Sequence, residues 1–369
     1  MDARIRQHAD IITTHSTAIE PGETVVVSVP PVAEDLAVAL YERIGDVGAS
    51  PVMVHGGETL LGTDRAVRGY LTAVDEDDVV PPTHLEALFE AADVIIRSRG
   101  HANVTERADV PPGKNSQLSR ATEAARAEML DARWCLTQYP SPANAQLAGM
   151  STEAYENFVW DAINKDWEAQ GEHQAQLVER LEEASTVHIE SEGGTDLTLS
   201  IEGNVPINDA GENNLPGGEV FTAPVVDSVE GQVVFDLPVV HQGRTIEGAS
   251  LEFEDGDVVE YAADENQEVL AEILETDAGA SRLGELGIGM NRDIDQFTHN
   301  MLFDEKMGDT VHMALGKAYE ECVGPGNEVN ASAVHVDMIV DMSEDSVIEV
   351  DGEPIQRDGT FVFEPEFEA

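Results

Sequence analysis

Four segments in the second half of this 369-residue sequence gather residue types that bind metals and move protons. In residues 214–224 (NLPGGEVFTAP) one carboxylate, Glu219, stands between a Pro-Gly-Gly turn and a β-type run. In residues 281–291 (SRLGELGIGMN) Glu285 sits among Gly284, Gly287 and Gly289, and glycine lets backbone approach closely. A phosphate loop is excluded there, because GELGIGMN has neither the P-loop lysine nor GxGxxG spacing. What remains is a tight turn, or a carboxylate offered to a metal across a narrow backbone. In residues 302–319 (LFDEKMGDTVHMALGKAY) the stretch from Val311 reads as helical. His312 and Tyr319 then lie almost on one helix face, with Asp304 and Glu305 one short loop earlier. A core histidine beside a packing tyrosine is the competing reading. In residues 332–342 (SAVHVDMIVDM) His335 and Asp337 are i and i+2 on a strand and point together.

Each signal is weak alone. Together they offer two imidazoles and at least four carboxylates. Glu219, Glu285, Glu305 and Asp337 would bring four negative charges into one place and force their pKa values up unless cations neutralise them. Two divalent ions carry the matching charge. Mixed carboxylate and imidazole ligation suits zinc, cobalt or manganese better than a thiolate-preferring metal.

The elements that must position these groups fall into two regions. In the first half, apolar strand-type runs (TVVVSV, SPVMVH, DVIIR) alternate with helical segments (AEDLAVALYERIG, LEALFEAA, TEAARAEMLDA). That alternation predicts an open α/β domain with a parallel sheet. A long helical stretch over residues 151–185 begins on capping residues. Beyond it, short β runs separated by Gly-Asp turns predict an α+β, antiparallel-β-rich domain, interrupted by one helix, HMALGKAYEEC. The boundary is expected near residue 183, giving an N-terminal domain over 1–183 and a C-terminal metal-binding catalytic domain over 184–369.

Composition narrows the setting. Asp and Glu total 73 against 20 Lys and Arg, for a net charge of −53, and only four of the basic residues are lysines: Lys114, Lys165, Lys306 and Lys317. The 41% apolar content and the strand runs argue for a folded chain over acidic disorder. A folded chain of this charge is expected to need high salt, since about 1 M salt shortens the Debye length to roughly 3 Å. Nucleic acid and anionic membrane surfaces are excluded as partners. Two cysteines, Cys135 and Cys322, make no disulfide framework. The N-terminal MDARIRQHADIITTHS has no apolar leader core, and no run approaches the roughly 18 apolar residues of a membrane span. A cytoplasmic protein is expected.

The four segments, in this order, resemble the signature blocks of the aminopeptidase T family of metallopeptidases. Residues 134–160 (WCLTQYPSPANAQLAGMSTEAYENFVW) are similar to that family's pattern at the end of its N-terminal domain, so the likeness covers most of the chain. The resemblance implies that Glu219, Glu285, Glu305, His312, His335 and Asp337 are metal ligands, with Glu285 bridging two ions. It implies a catalytic part for Tyr319, and a homodimer of subunits that each join an α/β domain to a β-rich catalytic domain. Met307-Gly308-Asp309-Thr310 replaces the usual Gly-Gly-Thr turn, and the chain is somewhat short for the family.

The implied activity is release of N-terminal residues from peptides with a free amino terminus. A water held between two metals would attack the carbonyl. Glu285 or Glu219 would carry the proton, and Tyr319 would hydrogen-bond the oxyanion. Two rivals stand beside this reading. One is a mononuclear Fe(II) ring-cleaving dioxygenase of the dihydroxypyridine type, which would need His312, His335 and Asp337 but not both Glu219 and Glu285. The other is a non-catalytic small-molecule-binding protein.

Overall fold

The computed structural model describes residues 1–241 and 244–367. Two compact units are present: Met1–Lys165 with Gly211–Gly217, and Asp166–Ala210 with Gly218–Ala369.

The first unit is built on a five-stranded parallel sheet. Its order is Ser50–His55, Thr24–Val29, Val94–Arg99, Arg133–Gln138 and the two-residue strand Asn214–Leu215. The central runs are apolar because helices cover them. Val26 and Ile95 pack with Leu85 and Phe89 from the helix Thr83–Glu90 and with Met129 from the helix Glu123–Asp131. The helix Glu34–Val47 packs on the first two strands and ends at Gly48, whose φ of +87° suits glycine.

The long helical stretch is two helices, Thr152–Ile163 and Trp167–Leu181. Each has its own N-cap: Ser151 accepts from Ala154 N, and Asp166 accepts from Ala169 N. The unit boundary lies at the second cap and not at residue 183. Leu177 and Leu181 of the second helix belong to the same hydrophobic core as the strands that follow.

The second unit contains an eight-stranded sheet in the order Asp257–Ala262, Ser250–Glu254, Glu230–Val234, Asp196–Ser200, Thr186–Ser191, Ser346–Val350, Glu353–Arg357 and Thr360–Phe361, with every neighbouring pair antiparallel. A separate five-stranded antiparallel sheet runs His335–Asp341, Thr310–Gly316, Leu283–Gly289, Glu219–Thr222 and Ile207–Asp209. One face of the smaller sheet (Val220, Leu286, Ile288, Val311, Met313, Val340) joins the core of the unit.

The segment expected to form the helix HMALGKAYEEC is instead the strand Thr310–Gly316, followed by a single 3-10 turn at Glu320–Cys322. Its Ala, Leu, Met and Lys are good helix formers. Position overrides propensity, because the strand is paired on both edges and every residue in it is buried. Among the described residues, no helix is long and apolar enough to cross a membrane.

Candidate metal centre

Strand alternation puts the core residues on one face of the smaller sheet and the chemistry on the other. The cross-strand register makes room for it. Glu219 is paired with Gly289, His312 with Gly287, His335 with Gly316, and both Glu285 and Asp337 with Ala314. Every one of these polar side chains therefore stands beside a glycine or an alanine. A β-carbon on Gly287 would come within 2.0 Å of the His312 ring, which accounts for the glycine at that position.

Two ligand sets form on this face. Glu219, Glu285 and His312 bring donor atoms within 4.8 Å of one another, and so do Glu285, His335 and Asp337. Glu285 is common to both. His312 Nε2 lies 3.1 Å from Glu285 Oε1 and 3.3 Å from Glu219 Oε2. His335 Nε2 lies 3.2 Å from Asp337 Oδ1 and 3.5 Å from Glu285 Oε2. His335 Nδ1 donates to the Lys317 carbonyl at 2.8 Å, which leaves Nε2 as the lone-pair nitrogen of the neutral ring, facing the carboxylates.

Glu305 comes from outside the sheet. It follows the short helix Met301–Asp304, on a loop fixed by the buried Asp304 carboxylate. That carboxylate accepts from Thr298 N at 2.8 Å, Thr298 Oγ1 at 2.7 Å and Asn300 N at 2.8 Å. Burial pushes Asp304 up to about 7, against these hydrogen bonds. Glu305 is absent from both compact ligand sets; it pairs with Lys306.

Lys306 is the residue that sequence reasoning missed. It has no exposed surface, donates to Glu219 Oε1 at 2.9 Å and to Glu305, and lies 3.6 Å from Asp209 Oδ2. Burial alone would lower its pKa. Glu219, Glu305 and Asp209 instead hold it well above the usual lysine value. The signal was present: one of only four lysines directly follows a candidate ligand. Asp209, which was also missed, reaches the cluster from the neighbouring strand Ile207–Asp209, where Gln174 Nε2 donates to the backbone carbonyls of both Asp209 and Glu219.

Tyr319 does not share a helix face with His312. It lies past the end of its strand, with its ring 5.0 Å from that of His335 and edge-on to Phe221 at 6.1 Å. It keeps 44% of its surface exposed, so it stands at the rim of a buried site. Burial and the carboxylates Glu285, Asp337, Glu305 and Glu219 raise its hydroxyl pKa.

Metal fit can be judged from what is left unsatisfied. Glu219 Oε2 and Glu285 Oε2 are buried and complete no hydrogen bond. Burial pushes Glu219 up to about 8 despite Lys306 and His312 beside it. His312 and His335 are held up at about 9 and about 10, against burial, by the surrounding carboxylates. Burial also works against the Asp337 charge, but His335 keeps that carboxyl below its usual value. Five carboxylates (Asp209, Glu219, Glu285, Glu305 and Asp337) converge on one ammonium and two imidazoles, so the cluster is left with excess negative charge once the imidazoles are neutral. The donor set and its charge fit divalent cations.

The class these features define is a metal-dependent hydrolase, and comparison agrees. The chain belongs to the thermophilic metalloprotease (M29) family, whose model matches residues 1–361. It is a metallopeptidase, as the resemblance to the aminopeptidase T family implies. It is 28% identical to Aminopeptidase 2 of Geobacillus stearothermophilus over 98% of each chain. The solved structure of AmpT from Thermus thermophilus matches with a TM-score of 0.84 at 25% identity, covering 97% of this chain and 99% of that one. A 2,5-dihydroxypyridine dioxygenase from Pseudomonas putida has the same fold, with a TM-score of 0.58 at 14% identity over 98% and 97%.

Proposed function

We propose that this chain is an aminopeptidase that removes N-terminal residues from peptides, using two divalent ions held by Glu219, Glu285, Glu305, His312, His335 and Asp337. The observation that carries the reading is the sharing of Glu285 between two three-residue ligand sets. With one oxygen facing His312 and the other facing His335, Glu285 would be shared by both ligand sets when ions are bound. When bound, such ions supply an activated water at neutral pH and polarise the scissile carbonyl.

The chain's own groups do the rest. Lys306 holds Glu219 and Glu305 in place. The carboxylate of Glu285 or Glu219 takes the proton from the attacking water and passes it to the leaving amine. Tyr319 Oη donates a hydrogen bond to the developing oxyanion from the rim. The acidic recess receives the substrate's protonated amino terminus. The likeness to the dioxygenase is one of fold, and a mononuclear iron site has no use for a second carboxylate set built on Glu219. The charge of −53 supports operation in molar salt, and we place the enzyme in the cytoplasm as a homodimer.

The test is elemental analysis of protein purified in molar KCl, together with assays on aminoacyl nitroanilides and their N-acetylated counterparts. Two metals per chain and cleavage only of free amino termini are expected. One iron per chain with cleavage of dihydroxypyridines would overturn the reading.

A further inference from the structure

The first unit holds a cluster of charge built from its own residues. Its sheet is doubly wound. The chain passes from the Thr24 strand outward to the Ser50 strand, then returns to the opposite side of Thr24 as the Val94 strand. Crossover direction reverses between the Thr24 and Val94 strands. Open α/β sheets take ligands outside the carboxyl ends of their strands at such a point.

Arg97 and Arg99 occupy that place. They are i and i+2 at the C-terminal end of the Val94 strand, so they share a face, and Ser28 is the register partner of Arg97. Glu58 Oε1 lies 3.9 Å from Arg99 Nη2, and Glu58 Oε2 lies 3.2 Å from His101 Nε2. Asp64 lies 3.7 Å from Arg107. His101 is anchored in turn by Asn144, whose Oδ1 accepts from its backbone N–H at 3.0 Å.

Arg97 has only a more distant answer, the charge of Glu58, which Arg99 and His101 already share. Among the described residues it makes no hydrogen bond and no ion pair. Arg99 Nε is buried and likewise without a hydrogen-bond partner. Burial, and then the Arg99 charge, lowers Arg97 to about 10, so it stays charged at neutral pH. Three guanidiniums and an imidazole thus face two carboxylates, in a chain where acidic residues outnumber basic ones by 73 to 20. Leaving one guanidinium largely buried with no hydrogen bond or ion pair of its own in so acidic a protein is costly unless an anion visits it. The guanidinium fork matches a planar or tetrahedral oxyanion in bidentate fashion.

We propose that the C-terminal edge of the parallel sheet in the first unit binds a small oxyanion, the carboxylate or phosphate group of a soluble molecule, on Arg97 and Arg99.

Calorimetric titration of the intact, metal-loaded protein in molar KCl tests this, with inorganic phosphate and with acetate as probes. Saturable binding of one anion per chain is expected, and the tighter of the two probes identifies the chemistry. Arg97→Gln should weaken binding about 10- to 100-fold, the scale of a lost charge-assisted contact. Arg97→Lys should fall between that variant and wild type. Metal content and peptidase activity without added anion should stay the same. Phosphate should also shield Arg97 of the unmodified protein from phenylglyoxal, read by peptide mass spectrometry, which decides the matter even if the variants fail to fold. No saturable binding of either probe, equal binding in wild type and Arg97→Gln, or no shielding of Arg97 would each overturn the proposal.

Discussion

Gly287 lies directly beneath His312, and a β-carbon at position 287 would come within 2.0 Å of the imidazole Cε1. The two residues are cross-strand partners, so the ring can avoid an added β-carbon only by rotating out of its present place or by shifting the strands. Gly287→Ala is therefore expected to displace the ring from Glu285 and Glu219. Metal affinity should fall about 10- to 100-fold, the scale of losing a group that orients a ligand histidine. Elemental analysis after dialysis against a graded chelator reads this, and an alanine variant with full metal occupancy would count against His312 as a ligand.

Lys306 answers three carboxylates from a position with no solvent exposure. Lys306→Met removes the charge and keeps most of the volume. The carboxylates left behind should destabilise the metal-free protein by about 3–5 kcal/mol, the usual cost of breaking a buried ion pair. Added divalent metal should recover part of that loss, because it answers the same charge. Denaturant melts with and without metal distinguish this from a simple packing defect, which metal would not repair.

Tyr319 separates binding from chemistry. If its hydroxyl stabilises the oxyanion, Tyr319→Phe should lower kcat by roughly 10²–10³, with KM and metal content little changed. Its exposure at the rim favours a clean result, because removing one oxygen leaves the ring contacts with His335 and Phe221 in place. A phenylalanine variant with wild-type kcat would remove the tyrosine from the mechanism and leave the metal assignment untouched.

The charge of −53 should make stability depend on salt. Self-repulsion at low ionic strength is screened as the Debye length falls from about 10 Å at 0.1 M to about 3 Å at 1 M. Thermal midpoints should rise steadily with KCl over that range. An unchanged midpoint would mean that the acidic surface serves another purpose.

The parallel sheet was legible because its central strands are buried on both faces, so TVVVSV and DVIIR appear as apolar runs. His335 and Asp337 were legible because a period of two survives in an edge strand. The Thr310–Gly316 strand was not, since its helix-forming residues are held extended by neighbours far away in sequence. Its misreading still left His312 among the acidic residues but gave Tyr319 the wrong neighbour, His312 in place of His335. Lys306 and Asp209 escaped for a similar reason. Lys306 follows Glu305 directly, but nothing near it in the chain announces that its ammonium will meet Asp209 and Glu219 from separate segments.

If the protein works in molar salt as proposed, the two imidazoles at this site have a further consequence. A pocket lined only by carboxylates would attract any hard cation, and in the salt that such a surface calls for, alkali ions vastly outnumber trace metals. Alkali ions favour oxygen, whereas borderline metals such as zinc accept nitrogen readily. With His335 Nδ1 committed to the Lys317 carbonyl, its other nitrogen offers a lone pair that sodium or potassium has little use for. In the proposed two-metal enzyme the histidines would work as a chemical sieve, letting an acidic protein keep a scarce ion while bathed in an abundant one.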